Sequence, residues 1–124
     1  MWLQDNTDES DTVYIWGWET RAAFAAKREL ASRYLHMHPL GATGFDRDRR
    51  IRELARDIET RKPKYIVDTN PLMPTTAPPL GPAEALPSTS RFFRLDGYEP
   101  VKNVVAKLYQ PCASVAGCVV YGLR

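Results

Sequence analysis

Histidine and cysteine, the side chains that most often hold metals or act as nucleophiles, number only two each among 124 residues. His36 and His38 lie two apart and would face one side of a strand, but no third ligand stands at a usable spacing, so no metal site is expected. Neither Cys112 nor Cys118 falls at a helix amino terminus, where a thiolate would be stabilised, and Ser90 and Ser114 lack the strand-to-helix elbow of a serine nucleophile. Long apolar runs are missing too. Cys112 to Leu123 is far short of the roughly 20 residues that a membrane-spanning helix requires. Charge of either sign is not in excess, with 17 Lys plus Arg against 15 Asp plus Glu, a net of +2. The signs are interspersed, as in Asp46-Arg-Asp-Arg-Arg50, which is how a solvated helix face reads, and no nucleic-acid partner is expected.

What is present is a chain of one-domain length with a clear α/β rhythm. The acidic, polar opening 1–10 reads as a linker without a signal peptide, and 11–124 as a single α/β domain. Thr12-Val-Tyr-Ile-Trp-Gly-Trp18 is an apolar strand that runs into a helix-forming stretch, Glu19 to Leu30. Trp16 and Trp18 alternate onto one side of that strand, so at least one is expected in the core. Ser32 to His38 suits a second strand ending at Pro39. Ile51, Leu54, Ala55 and Ile58 recur at i, i+3, i+4, i+7, the spacing of one apolar helical stripe, with Asp46 and Asp48 at its amino end and Arg61 and Lys62 at its close. Lys64-Tyr-Ile-Val-Asp68 is the third strand. Residues 70–90 carry Pro71, Pro74, Pro78, Pro79, Pro82 and Pro87 and form a loop. A last helix follows, with Pro100 at its first turn and Val101, Val104, Val105 and Leu108 on one stripe. Pro111 stops it, and Ala113-Ser-Val115 and Cys118 to Arg124 form a hairpin turning at Ala116-Gly117. Right-handed crossovers then give a small three-layer Rossmann-like sandwich, a parallel core of three strands in the order 2-1-3 with the hairpin on one edge.

Such sheets bind ligands at the carboxyl edge, which gathers Gly17, Trp18, Glu19, His38, Asp68 and Asn70 as candidate ligand-binding residues. The first turn, Gly17-Trp-Glu-Thr20, lacks the glycines that let backbone approach a pyrophosphate, so no dinucleotide and no other cofactor is expected. Asp68 stands where response-regulator receiver domains carry their phosphorylated carboxylate. The acidic pair after the first strand that such a site needs is reduced here to Glu19, and the bland role for Asp68 is to cap a turn with Asn70 and Pro71. Cys112 and Cys118 flank the hairpin turn. They could lie opposite each other and close a disulfide, or remain buried free thiols.

The succession Thr12 to Glu19, Ala31-Ser-Arg-Tyr-Leu35, Arg49 to Asp57, Lys62-Pro-Lys-Tyr-Ile-Val67 and Val119-Val-Tyr-Gly-Leu-Arg124 resembles the carboxyl-terminal soluble domain of bacterial multi-spanning membrane glycosyltransferases. These are of the type of dolichyl-phosphate-mannose protein mannosyltransferases, glycosyltransferase family 39. The resemblance covers about residue 11 to the end, apart from the proline-rich loop. It implies a parent enzyme that transfers sugar from a polyprenyl phosphate outside the cytoplasm. The family's catalytic carboxylate lies among the membrane helices, and no position here matches that motif. The implied role is a non-catalytic accessory domain on the extracytoplasmic face, partnered by the membrane-embedded part of the same polypeptide and by the acceptor substrate. The alternative expectation is a free-standing α/β module that binds a nucleotide or another small anion at the carboxyl edge.

Overall fold

The computed structural model describes residues 2–17, 28–31, 46–72, 78–81 and 95–124. They form an α/β structure on a mixed five-stranded sheet: α1 (Trp2–Asp5), β1 (Thr12–Trp16), β2 (Glu29–Leu30), α2 (Arg47–Arg61), β3 (Tyr65–Asp68), α3 (Glu99–Leu108), β4 (Tyr109–Val115) and β5 (Cys118–Leu123). The strand order is β2-β1-β3-β5-β4. β1 runs parallel to both β2 and β3, with Val13 opposite Leu30 on one side and Tyr65 on the other. β5 joins β3 antiparallel, Tyr65 opposite Gly122, and the β4–β5 hairpin completes the sheet.

β1 is buried on both faces, and the alternation of its side chains sorts the core into two. Tyr14 and Trp16 join Ile66 and Tyr121 under α2 and α3, meeting Ile51, Leu54, Ile58, Val101 and Val105. The stripe of α2 thus faces the sheet, and each of its large aliphatic side chains contributes roughly 1.5–3 kcal/mol by leaving water. Val13 and Ile15 point the other way, to Val67, Cys118, Val120 and Leu3.

Several expectations need correction. The opening decapeptide is not a bare linker. Trp2 and Leu3, as part of α1, dock on the second face of the sheet, Leu3 buried and Trp2 edge-on to Tyr65 with centroids 5.0 Å apart. Arg28 holds this segment down, its Nε donating to Thr7 Oγ1 at 2.7 Å and its Nη2 to the Thr7 carbonyl at 2.9 Å. Glu29–Leu30, expected to end the first helix, form the strand beside β1 instead; two residues are too few to carry a period of their own. Arg28 just before them is not helical either; residues 19–27 of that expected helix, and the strand expected at Ser32 to His38, lie outside the described residues.

Asp46 precedes α2 in a left-handed conformation, φ 68°, and makes no side-chain cap; it pairs with Arg49 at 3.1 Å. Pro111 does not stop α3. The helix ends at Leu108, and Pro111 lies within β4, next to an irregularity between Pro111 and Ala113. Of the two alternatives left open for Cys112 and Cys118, the structure has the free thiols, though only Cys118 is buried. Cys118 is opposite Val115, while Cys112 lies in the irregular stretch, against Gly122. A disulfide needs its two residues face to face, and the register denies that.

Candidate functional site

The carboxyl ends of β1 and β3 are tied together before any loop is added. Thr69 donates from both its backbone N–H (3.0 Å) and its Oγ1 (2.6 Å) to the carbonyl of Trp16. β1 then ends at Gly17, whose φ of 124° is open to glycine and to almost nothing else.

Asp68 closes β3 and is almost wholly buried, 3 % exposed. Its Oδ1 accepts the N–H of Asn70 at 2.9 Å, making the turn that the sequence suggests. Its Oδ2 accepts the N–H of Leu80, also at 2.9 Å, twelve residues along the chain. Burial pushes the Asp68 carboxyl above its ordinary range, against the two N–H groups and the charge of Lys102, which pull it down. Trp16 adds a second fastening, its indole Nε1 donating to the carbonyl of Pro78 at 2.7 Å. The proline-rich loop is therefore pinned at Pro78 and Leu80 onto the edge where a ligand would be expected.

From Trp16 a line of stacked groups continues across the edge. The ring of Tyr98 meets the indole edge-on, centroids 5.2 Å apart, and the guanidinium of Arg47 lies over the ring of Tyr98, 5.0 Å from its centroid. Arg47 also donates to the carbonyl of Asp96. It is 5 % exposed, and its Nε has no hydrogen-bond partner among the described residues. Desolvation pushes the Tyr98 hydroxyl above its ordinary range, opposed by the positive charge of Arg47. Gly97 makes this approach feasible: at φ +82°, any Cβ there would stand 2.7 Å from Arg47 Nη1. We expect Gly97→Ala to destabilise the chain by about 1–2 kcal/mol from the left-handed backbone alone, with a further loss as Arg47 is displaced. Urea unfolding of this variant against the parent chain measures the sum.

Of the six residues expected at the carboxyl edge, Gly17, Asp68 and Asn70 are brought together there; Trp18, Glu19 and His38 lie outside the described residues. Among the described residues no three His, Cys, Asp or Glu side chains gather as metal ligands would. Sequence reasoning misses Trp16 as a donor, Thr69, Tyr98 and above all Arg47, which sits in a charge run that looks solvated. A signal is available: Arg47 stands four residues before Ile51 and seven before Leu54, in line with the buried stripe of α2. Chemically, the edge as built holds its own loop. Both oxygens of Asp68 accept backbone N–H groups and the side chain is buried, so the carboxylate as built is directed at its own loop rather than at solvent.

No protein-family model, no curated protein and no solved structure matches this chain.

Proposed function

We propose that this chain is a non-catalytic accessory domain of a membrane glycosyltransferase that uses a polyprenyl-phosphate sugar, a small three-layer Rossmann-like sandwich on the extracytoplasmic face that shapes the acceptor site or holds a partner. The observation that carries this reading is the spent carboxylate of Asp68: this buried acid at the ligand edge of the sheet is engaged in holding Asn70 and Leu80. A sheet edge whose buried acid and indole hold Leu80 and Pro78 of its own loop is suited to scaffolding rather than to turnover. The order of segments from Thr12 to Arg124 supplies the resemblance to this class of enzyme. The free thiols remove an oxidising compartment from the support for it.

Cys112 provides the test. It is exposed while Cys118 is buried, so a membrane-impermeant maleimide should label the first and spare the second. Source cells are fractionated and blotted with an antibody to this domain. The reading expects a membrane-bound band far heavier than 14.1 kDa, labelled in intact spheroplasts and unlabelled when Cys112 is replaced by serine. A soluble band near 14.1 kDa, or labelling of Cys112 only after lysis, overturns it.

A further inference from the structure

Away from the carboxyl edge, α3 and the β4–β5 hairpin, together with Leu80 and Gly81, line a half-open pocket of about 350 Å³. Leu80, Val105, Tyr109 and Tyr121, all buried side chains, give it an apolar and partly aromatic lining. Besides Asn103 and the Tyr109 hydroxyl, which donates to the Pro63 carbonyl, three further hydrogen-bond donors line the same space. Lys102 and Arg124 are cations, and among the described residues neither has a carboxylate in ion-pair contact; Arg124 donates from Nη2 to the Ala106 carbonyl at 3.3 Å and keeps its remaining N–H groups. The Tyr121 hydroxyl, which approaches Gly81 so closely that a Cβ there would lie 3.0 Å away, has no hydrogen-bond partner among the described residues. Asp68 is the acid that feels Lys102, and it is already engaged by two backbone N–H groups.

We propose that this cavity is a binding site for a compact aromatic anion, its ring on Tyr109, Tyr121 and Val105 and its charged head between Lys102, Arg124 and the Tyr121 hydroxyl. Apolar walls with a few convergent donors are the usual makeup of small-molecule sites, whose volumes run from roughly 300 to 1,000 Å³. A volume near the low end of that range seats a body of one or two rings. Two cations with no carboxylate in ion-pair contact among the described residues favour a negative head, and the phenol adds a neutral donor, because burial and the nearby charge of Asp68 both push its ionisation upward.

The site is tested on the 124-residue chain with 2-naphthyl phosphate, followed by ¹H–¹⁵N NMR and calorimetry, alongside 2-naphthol and inorganic phosphate. Saturable binding of the naphthyl phosphate is expected, with shifts confined to α3, the hairpin and Leu80–Gly81. Each half-ligand should bind at least about tenfold more weakly, the scale set by a hydrogen bond to a charged group. Lys102→Gln and Arg124→Gln should each weaken binding by about the same factor, and Tyr121→Phe should weaken it less while keeping the packing. Equal binding of 2-naphthol, equal binding of phosphate alone, or shifts centred elsewhere would overturn the proposal, as would absence of binding at millimolar ligand by a chain whose spectrum shows it folded. None of these outcomes bears on where in the cell the chain resides.

Discussion

Trp16→Ala is expected to remove about 3–5 kcal/mol of folding stability, the cost of emptying a fully buried aromatic site. A domain of this kind holds roughly 5–15 kcal/mol in all, so the variant should be marginally folded. The reason lies in three contacts that meet at one side chain. The indole is fully buried in the main core, its ring supports Tyr98 and so the Arg47 guanidinium beyond it, and its Nε1 fastens Pro78. Trp16→Phe separates these roles. It keeps much of the packing and loses the donor, and should cost about 1–2 kcal/mol, close to one buried hydrogen bond plus a small void. Denaturant titration of both variants checks the order. If Trp16→Phe is as damaging as Trp16→Ala, the hydrogen bond to Pro78 outweighs the packing of the ring, and Trp16 is a fastener of the loop before it is a member of the core.

Asp68→Ala should come second, at about 2–3 kcal/mol. Two backbone N–H groups lose their acceptor, of which that of Leu80 is buried and cannot turn to water; the loss is partly offset because a desolvated charge disappears with the side chain. Exchange of the Leu80 amide should accelerate, whereas that of Thr69, bonded to Trp16, should change little. The pH dependence has a definite sign. The folded-state pKa of Asp68 is raised by burial above its unfolded value of about 3.9. The folded chain therefore binds the proton more tightly, and stability falls as pH rises from the unfolded pKa through the folded one. Asp68→Asn should abolish that decline, so the difference in stability between parent and Asp68→Asn is measured across this window. A parent chain that gains stability there relative to Asp68→Asn would show that the two N–H groups outweigh desolvation.

The parts of the fold legible in sequence are those with a period or an unbroken apolar run. Ile51, Leu54 and Ile58 declare α2 and Val101 and Val105 declare α3, because burial on one helical face must recur at its spacing, whereas Thr12 to Trp16 and Tyr65 to Asp68 declare two central strands by a short continuous apolar run, since both faces are covered. Glu29–Leu30 have no such repeat and read as helix. The Asx turn of Asp68 is legible because its first partner, Asn70, is local; its second, Leu80, is not, since nothing in a proline-rich segment says which N–H will return to a given carboxylate. Arg47 is hidden by its neighbours' charges, although its place on the stripe is the better guide. The cavity beside α3 depends on how the hairpin leans on the helix, a relation no local pattern encodes.

The two outer strands of the sheet bear on how the chain behaves beside copies of itself. A sheet margin with a continuous row of open amides and carbonyls is a template on which another chain can add a strand. Here one margin, β2, is two residues long, and the other, β4, carries Pro111, which has no amide to offer, beside a break in the ladder. Among the described residues neither margin gives a second strand a regular run to pair with, which hinders strand-by-strand addition at β2 and at β4.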